Sequence, residues 1–405
     1  MVPIRVVFEL RQPIVRSVHL LKVLCMATRI TSKIWLIVAI LVLTSAALAG
    51  CVGRPAESPE FRDVIPTEAV LLNDSETTPT GMQSYRDPDG RFNILTLSGG
   101  GAFGAYGAGI LNGWTESGTR PEFDLVTGVS TGALMAVYAF LGPRYDPLLQ
   151  KFYTEVKESD IFTRRGIQGF FSDALYDNAP LQRQIEENIT PQLLAAVARE
   201  HARGRRLYVA TTNLDSGQLV VWNMGEIASG GRTNPLQHFQ KVIRASAAVP
   251  GFFPPVYIKP QRGVQLRQAH VDGGVKAPVL ISDFLFRVRD GRKNLYVIVN
   301  DSLAAKDPFE AVQPNLASIA RKSISTLSRE LLIQTVYRGY VRARNSATRF
   351  FLTSVPSELG LGATSLQFDP AQMRALYEAG RQRALSATPW AKTPPNIRSF
   401  DVVRR

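Results

Sequence analysis

The chain has 405 residues, is 45% hydrophobic and carries a formal net charge of +13. That length holds one large domain or two ordinary ones, with enough apolar side chains for a substantial core. The basic excess suits an anionic membrane surface, while the lack of a basic helix or of a Lys/Arg run interleaved with aromatics excludes nucleic acid as a partner.

Six of the basic residues and one acid lie in residues 1–50, so that +8 remains from residue 51 onward. Lys33 to Cys51 reads KIWLIVAILVLTSAALAGC, an apolar run that follows Arg29 and Lys33 and ends in small residues. This is the pattern of a secretory signal, expected over residues 1–50. The run is about sixteen residues, shorter than the roughly 20 of a spanning helix; an uncleaved membrane anchor is the competing reading. Leu48-Ala49-Gly50-Cys51 resembles the lipobox of bacterial lipoproteins. The resemblance implies cleavage before Cys51, a lipid on Cys51 and a place in the bacterial cell envelope. Val52 and Gly53 follow, without the aspartate that resembles an inner-membrane retention signal, which favours the outer membrane where the source has two. A start at Met26 gives a signal of ordinary length and leaves residues 1–25, with Cys25, outside the protein. Cys51 is then the sole cysteine, and no intramolecular disulfide forms.

Residues 51–91 are rich in Pro, Glu, Asp, Ser and Thr and read as a lipidated tether. The folded part begins near Phe92. FNILTL (92–97) predicts a strand and 102–116 a helix; FDLVTGV (123–129) predicts a second strand and TGALMAVYAFL (131–141) a second helix. Residues 206–223 predict a hairpin turning at Asp215-Ser216-Gly217. PLQHFQKVIRAS (235–246) predicts an amphipathic helix, 269–274 a strand running into a turn, and 294–300 a buried strand. The alternation implies an α/β sandwich with a mostly parallel central sheet, spanning 92–305. Helical patterns over 309–345 and 370–386 make 306–405 a helical C-terminal region that packs on this core.

Gly128-Val129-Ser130-Thr131-Gly132 follows the second strand directly and opens the second helix. This is G-x-S-x-G in the strand–turn–helix context that a nucleophilic serine needs. Gly128 and Gly132 leave room for the tight turn, and the helix N-terminus aims its N–H groups at the site. A plain turn capped by Ser130 or Thr131 is the bland alternative. Upstream, LSGGGAFGAYGAGI (97–110) leaves the preceding strand with six glycines. Gly99, Gly101 and Gly104 match G-x-G-x-x-G, yet Asp124 sits at the wrong end of its strand for a dinucleotide site. No Walker-type lysine follows, so an oxyanion hole fits this loop better than a phosphate cradle.

A serine needs a base. No histidine lies beyond position 270, so the late histidine of an α/β-hydrolase triad is missing. His201 sits in a polar basic stretch and reads as solvated, His238 is buried or exposed on its helix, and His270 shares a strand with Asp272. Asp272 in VDGG is the stronger candidate, because burial beside the serine raises the basicity of a carboxylate; an ordinary Asp-Gly turn is the alternative. No His, Asp or Glu cluster has metal-ligand spacing.

GGGAFG, GVSTG, RASAAVPGFFPPV (244–256) and DGG, in that order, resemble the patatin-like phospholipase family over roughly residues 92–300. The resemblance implies a three-layer patatin-like sandwich and a lipid acyl hydrolase that works through a Ser–Asp dyad. Ser130 is then the nucleophile and Asp272 the general base. The oxyanion hole is expected from the backbone around Gly99, Gly100, Gly101, Ala102 and Gly104, with motif turns at Gly128, Gly132, Gly273 and Gly274. Phe103 stands where many members carry a basic residue, and Lys276-Ala277-Pro278 follow the DGG turn where many carry asparagine. The expected partners are a phospholipid or other acyl lipid and a membrane reached through the lipid anchor; no metal or organic cofactor is required. The alternatives are a hydrolase of soluble esters or thioesters, which would use the same dyad, and a non-catalytic envelope lipoprotein. IFTRRGIQGFFSDALY (161–176) reads as a core loop, or as a lid at a membrane interface.

Overall fold

The short apolar runs of the sequence become strands of one mixed sheet. The computed structural model describes residues 69–70, 90–166, 169, 172–230, 234–259, 267–287, 292–303, 311–359 and 365–395. In chain order the strands are β1 (Ala69–Val70), β2 (Arg91–Leu97), β3 (Leu125–Val129), β4 (Thr163–Arg164), β5 (Tyr176–Asp177), β6 (Arg206–Asn213), β7 (Gln218–Asn223), β8 (Val256–Ile258), β9 (Gln268–Asp272), β10 (Arg292–Val299) and β11 (Arg349–Ser354). The helices are α1 (Gly104–Glu116), α2 (Thr131–Leu141), α3 (Asp146–Glu155), α4 (Glu158–Ile161), α5 (Ala179–Asn188), α6 (Pro191–Ala202), α7 (Met224–Ala228), α8 (Pro235–Ser246), α9 (Leu316–Asn345) and α10 (Pro370–Leu385).

Strand order across the main sheet is β1-β7-β6-β3-β2-β10-β11, and β9 pairs with both β6 and β8. The five strands from β6 to β11 run parallel, while β7, β1, β9 and β8 join them antiparallel. The parallel strands are buried on both faces, as helix-covered sheets require. Alternation divides them between two cores. Leu95, Leu97, Val126, Tyr296 and Ile298 face the larger core under α1, α2, α8 and α10. Ile94, Leu125, Val129, Leu295 and Val297 face a second core closed by Val279–Leu285 and by Leu332, Val336 and Ala343 of α9. Three layers result, as expected.

The structure adds three things to the sequence reading. Residues 349–354, between the two C-terminal helical patterns, form β11, a parallel strand in register with β10. The C-terminal region is therefore part of the sheet as well as a helical cover, and all described residues fall within one unit, Glu57–Arg405. Within the expected tether, Ala69–Val70 pairs with Trp222 and Val221 of β7. Lastly, β9 is antiparallel, so the strand that ends in Asp272 enters the sheet from the opposite direction to β3. The expected signal segment 1–50, Met26, Cys51 and most of the tether lie outside the described residues. No helix among the described residues is long and apolar enough to cross a membrane.

Candidate active site

One register relation builds the site. Strand β3 runs parallel to the first part of β6 and stops with Val129 opposite Ala210. Strand β9 runs antiparallel to the rest of β6 and stops with Asp272 opposite Thr211. The two strands therefore end head to head on neighbouring residues of β6. Ser130 and Asp272, each at the carboxyl end of its strand, are brought together, close enough for the Ser130 side chain to counter the rise in the Asp272 pKa.

Ser130 has φ 56° and ψ −127°, a left-handed conformation that non-glycine residues rarely adopt. Such strain persists only where surrounding structure over-determines it. The Ser130 N–H donates to Ser246 Oγ at 2.9 Å, and the Ser246 hydroxyl donates to the Ala210 carbonyl at 2.7 Å. One buried hydroxyl thus ties the turn to β6, the strand beside which both Ser130 and Asp272 end. The flanking glycines are required by close approach. A Cβ at Gly128 would lie 2.2 Å from the Gly132 carbonyl oxygen, and one at Gly132 would lie 2.5 Å from the carbonyl oxygens of Leu97 and Ser98. Tyr153 of α3 holds the next residue: its hydroxyl lies 2.7 Å from Thr131 Oγ1 and donates to the Thr131 carbonyl at 2.8 Å.

Asp272 is buried. Burial pushes its carboxyl from its ordinary 3.8 up to about 6, against the opposing effects of the Ser130 side chain and of the hydrogen bond from the Gly274 N–H. The Gly274 bond is 2.7 Å. The Asp272 backbone is fixed on both sides, its N–H to the Ala248 carbonyl at 2.9 Å and its carbonyl to the Thr212 hydroxyl at 3.0 Å. Gly273 lies against the Ala210 carbonyl. A carboxylate held this way is more basic than a solvated one and lies beside the serine that it would deprotonate.

The glycine loop is narrower in its offer than the sequence implied. The Gly99 N–H donates to the Pro278 carbonyl at 2.9 Å and the Ala102 N–H to the Ser365 carbonyl at 2.8 Å. The Gly104 N–H bonds back to the Gly101 and Ala102 carbonyls. Gly99, Ala102 and Gly104 are thereby removed from the expected donor set, because their N–H groups are already engaged in holding the loop. Among the described residues, the Gly100 and Gly101 N–H groups have no acceptor. Gly100 sits at φ 149°, where a Cβ would fall 1.9 Å from the Asn300 carbonyl oxygen. Asn300, fully buried at the end of β10, donates its N–H to Ser98 Oγ at 2.8 Å and its side-chain amide to the Ser98 carbonyl at 2.9 Å. Phe103 is buried in the larger core, so the position that many patatin-like proteins give to a basic residue serves packing here.

The histidines divide differently from the expectation. His270 is fully buried, with Nδ1 2.9 Å from Thr211 Oγ1 and its ring against Trp222; burial lowers its pKa to about 4. It is a neutral core residue, and Ser130 is the group that Asp272 engages. His238 is buried edge-on against Trp222. His201, expected in solvent, is half-buried against Gly225 and Arg206, and burial with that neighbouring cation lowers its pKa to about 4.

Sequence reasoning missed Ser246, Tyr153, Asn300 and Ser365. Ser246 lies inside the RASAAVP stretch that carried the resemblance, so the motif was seen without its role. The other three have no local signal. The segments that brace the site also carry aromatic residues that pack on one another. Tyr176 stacks on Phe252 at 6.0 Å, Phe162 packs on Phe253 at 5.6 Å, and Phe368 meets Phe162 at 6.5 Å. Phe162 of the 161–176 stretch is buried in the core, whereas Phe170 and Phe171 lie outside the described residues.

Residues 95–285 match the family described as patatin-like phospholipase, and this part of the chain is a patatin-like domain with the patatin fold. A cGAMP-activated phospholipase of Escherichia coli (strain TW11681) is 28% identical over 201 residues, covering 46% of this chain and 53% of that protein. The calcium-independent phospholipase A2-gamma of Mus musculus is 32% identical over 188 residues, covering 42% of this chain and 24% of that protein. The chain thus spans about half the length of the first relative and about a quarter of the second. Among solved structures, VipD from Legionella pneumophila aligns at TM-score 0.38 with 14% identity, over 73% of this chain and 66% of that one.

Proposed function

We propose that this chain is a lipid acyl hydrolase in which Ser130 is the nucleophile and Asp272 the general base. The observation that carries the reading is the strained Ser130 turn brought by the strand register against a buried aspartate of raised pKa. Asp272 takes the hydroxyl proton as Ser130 Oγ attacks an ester carbonyl. The Gly100 and Gly101 N–H groups hold the tetrahedral oxyanion, each donor contributing on the order of 3 kcal/mol. The protonated Asp272 then gives its proton to the departing alcohol. Water, activated by the same carboxylate, hydrolyses the acyl-enzyme and regenerates Ser130. The aromatic cluster is joined through the chain to segments that brace the site. Phe252 and Phe253 follow Ala248, which bonds Asp272, and Phe368 follows Ser365, which bonds Ala102.

The same reading places the enzyme at a membrane of the cell envelope, the outer one where the source has two. The lipobox-like Leu48–Cys51 would supply a lipidated Cys51, and residues 51–91 would tether the domain to it. The full chain, reacted with a fluorophosphonate probe, is expected to label at Ser130, with labelling abolished by Ser130→Ala and strongly reduced by Asp272→Asn. Release of fatty acid from phospholipid vesicles should follow the same order. A folded parent chain that neither labels nor releases fatty acid would overturn the proposal.

A further inference from the structure

Helix α9 has two unlike halves. Its second half is seated on the molecule: Leu332, Val336 and Ala343 enter the second core, and Gly339 packs against Ile281. Its first half exposes large apolar side chains, Ile319 at 51%, Ile324 at 60% and Leu327 at 69%. At about 100° per residue, Leu327 lies about 160° and Ile324 about 100° around the helix from the Leu332–Val336–Ala343 stripe, so both point away from the core. The outward face is therefore apolar at one end, and it continues into exposed Arg338, Val341 and Arg342 at the other. The whole helix carries six basic residues and one glutamate.

The helix is also anchored beside the candidate site. The Val279–Leu285 stretch on which it sits follows Pro278, whose carbonyl accepts the Gly99 N–H, and Arg342 pairs with Asp283 at 2.9 Å. Isolated exposed leucines need no explanation, but an outward apolar face bordered by cations is the composition of a helix lying in a lipid interface. A second copy of the chain fits less well. The outward apolar run covers about two turns, short of the three to four heptads that a coiled coil needs, and Arg338 would oppose the partner's like charges. The same arginines are attracted to anionic headgroups.

We propose that the first half of α9 is an interfacial arm that lays its outward apolar face into an anionic lipid surface and holds the Ser130 site beside it. The inference takes its purpose from the lipid-hydrolase reading, but its test does not depend on turnover. Full-length Ser130→Ala protein carrying Leu327→Trp is mixed with vesicles of phosphatidylcholine, alone or with phosphatidylglycerol, bearing brominated acyl chains. The tryptophan placed by Leu327→Trp is expected to be quenched beyond the parent's signal. Quenching should be stronger with phosphatidylglycerol and fall with added salt as screening shortens the field. Adding Ile324→Glu should return it to the parental level. No extra quenching with either vesicle overturns the arm. A blue-shifted, concentration-dependent emission without vesicles assigns the face to a second copy and overturns it equally. If the arm is quenched while the Ser130-intact chain releases no fatty acid, the hydrolase reading fails and the arm stands.

Discussion

Replacing Asp272 with Asn should destroy activity and make the protein more stable. Burial holds the Asp272 carboxyl at about 6 instead of 3.8. At about 1.4 kcal/mol per pH unit, keeping it ionised in the folded protein costs about 3 kcal/mol at neutral pH. Because the folded value lies above the unfolded one, the folded state binds more protons than the unfolded state between these two values. The stability from this group is fully present below pH 3.8 and is lost as the pH rises through about 6. Asn is neutral and of the same shape, and its amide oxygen can still accept the Gly274 N–H. Asp272→Asn should therefore exceed the parent by about 3 kcal/mol at about pH 8, with the gap closing toward about pH 4. Hydrolysis should fall by about 10²–10⁴ for loss of a general base, and the parent's kcat/KM should drop as the pH falls through about 6. Urea unfolding of both proteins across this range, with turnover of a soluble ester, reads both quantities. Equal stability at about pH 8, or a gap that persists unchanged in acid, would refute the assignment of burial as the cause.

Other substitutions test the supports separately. Ser246→Ala leaves the Ser130 N–H and the Ala210 carbonyl buried without their partner. It should cost about 1–3 kcal/mol in urea unfolding and lower kcat for a soluble ester with little change in KM. Gly100→Ala places a Cβ 1.9 Å from the Asn300 carbonyl oxygen. The loop must move, and kcat should fall by about 10²–10³, as for removal of one oxyanion donor; steady-state kinetics with a short ester measures it. Elsewhere in the chain, Arg120 and Asp146 form a 2.9 Å ion pair with side chains 2% and 10% exposed. Arg120→Met should cost about 3–5 kcal/mol by stranding the carboxylate. Adding Asp146→Asn should recover part of that loss in the same unfolding assay.

The local signals carried the local structure. Helix 235–246 and the 206–223 hairpin appear as their periodicity predicts, because an amphipathic stripe and an Asp-Ser-Gly turn depend on neighbours in sequence. Ser130 was legible for the same reason, since its strain, its glycines and its helix lie within five residues. The pairing with Asp272 was not legible from spacing; it rests on β9 ending opposite Thr211, a register that 60 residues of intervening chain do not announce. Only the ordered set of motifs, taken as a resemblance, brought the two together. Strand β11 escaped because RFFLTS is a six-residue run between helical patterns, where period alone cannot separate strand from loop. Helix α6 carried a readable signal in Thr190-Pro191, a capping residue followed by proline at the first helical position.

The glycine loop shows why so much of the chain is needed for so few atoms. A loop rich in glycine has many conformations available, and its N–H groups are useful donors only if nearly all that freedom is removed. Here the Gly99 N–H is fixed by Pro278, Ser98 by Asn300, and Ala102 by Ser365. Three remote segments thus hold a stretch of five residues and leave only the Gly100 and Gly101 donors between them. Two of these holds, through Pro278 and Asn300, come from the sheet and the turn beside it. The third comes from beyond residue 305, in the region that the sequence presents as an outer cover. Preorganised donors stabilise charge without reorganising during the reaction, so a segment that touches no substrate can still set the rate. The C-terminal region is then a structural part of the glycine loop, and the boundary that the helical pattern suggests near residue 305 divides the sequence without dividing the candidate site.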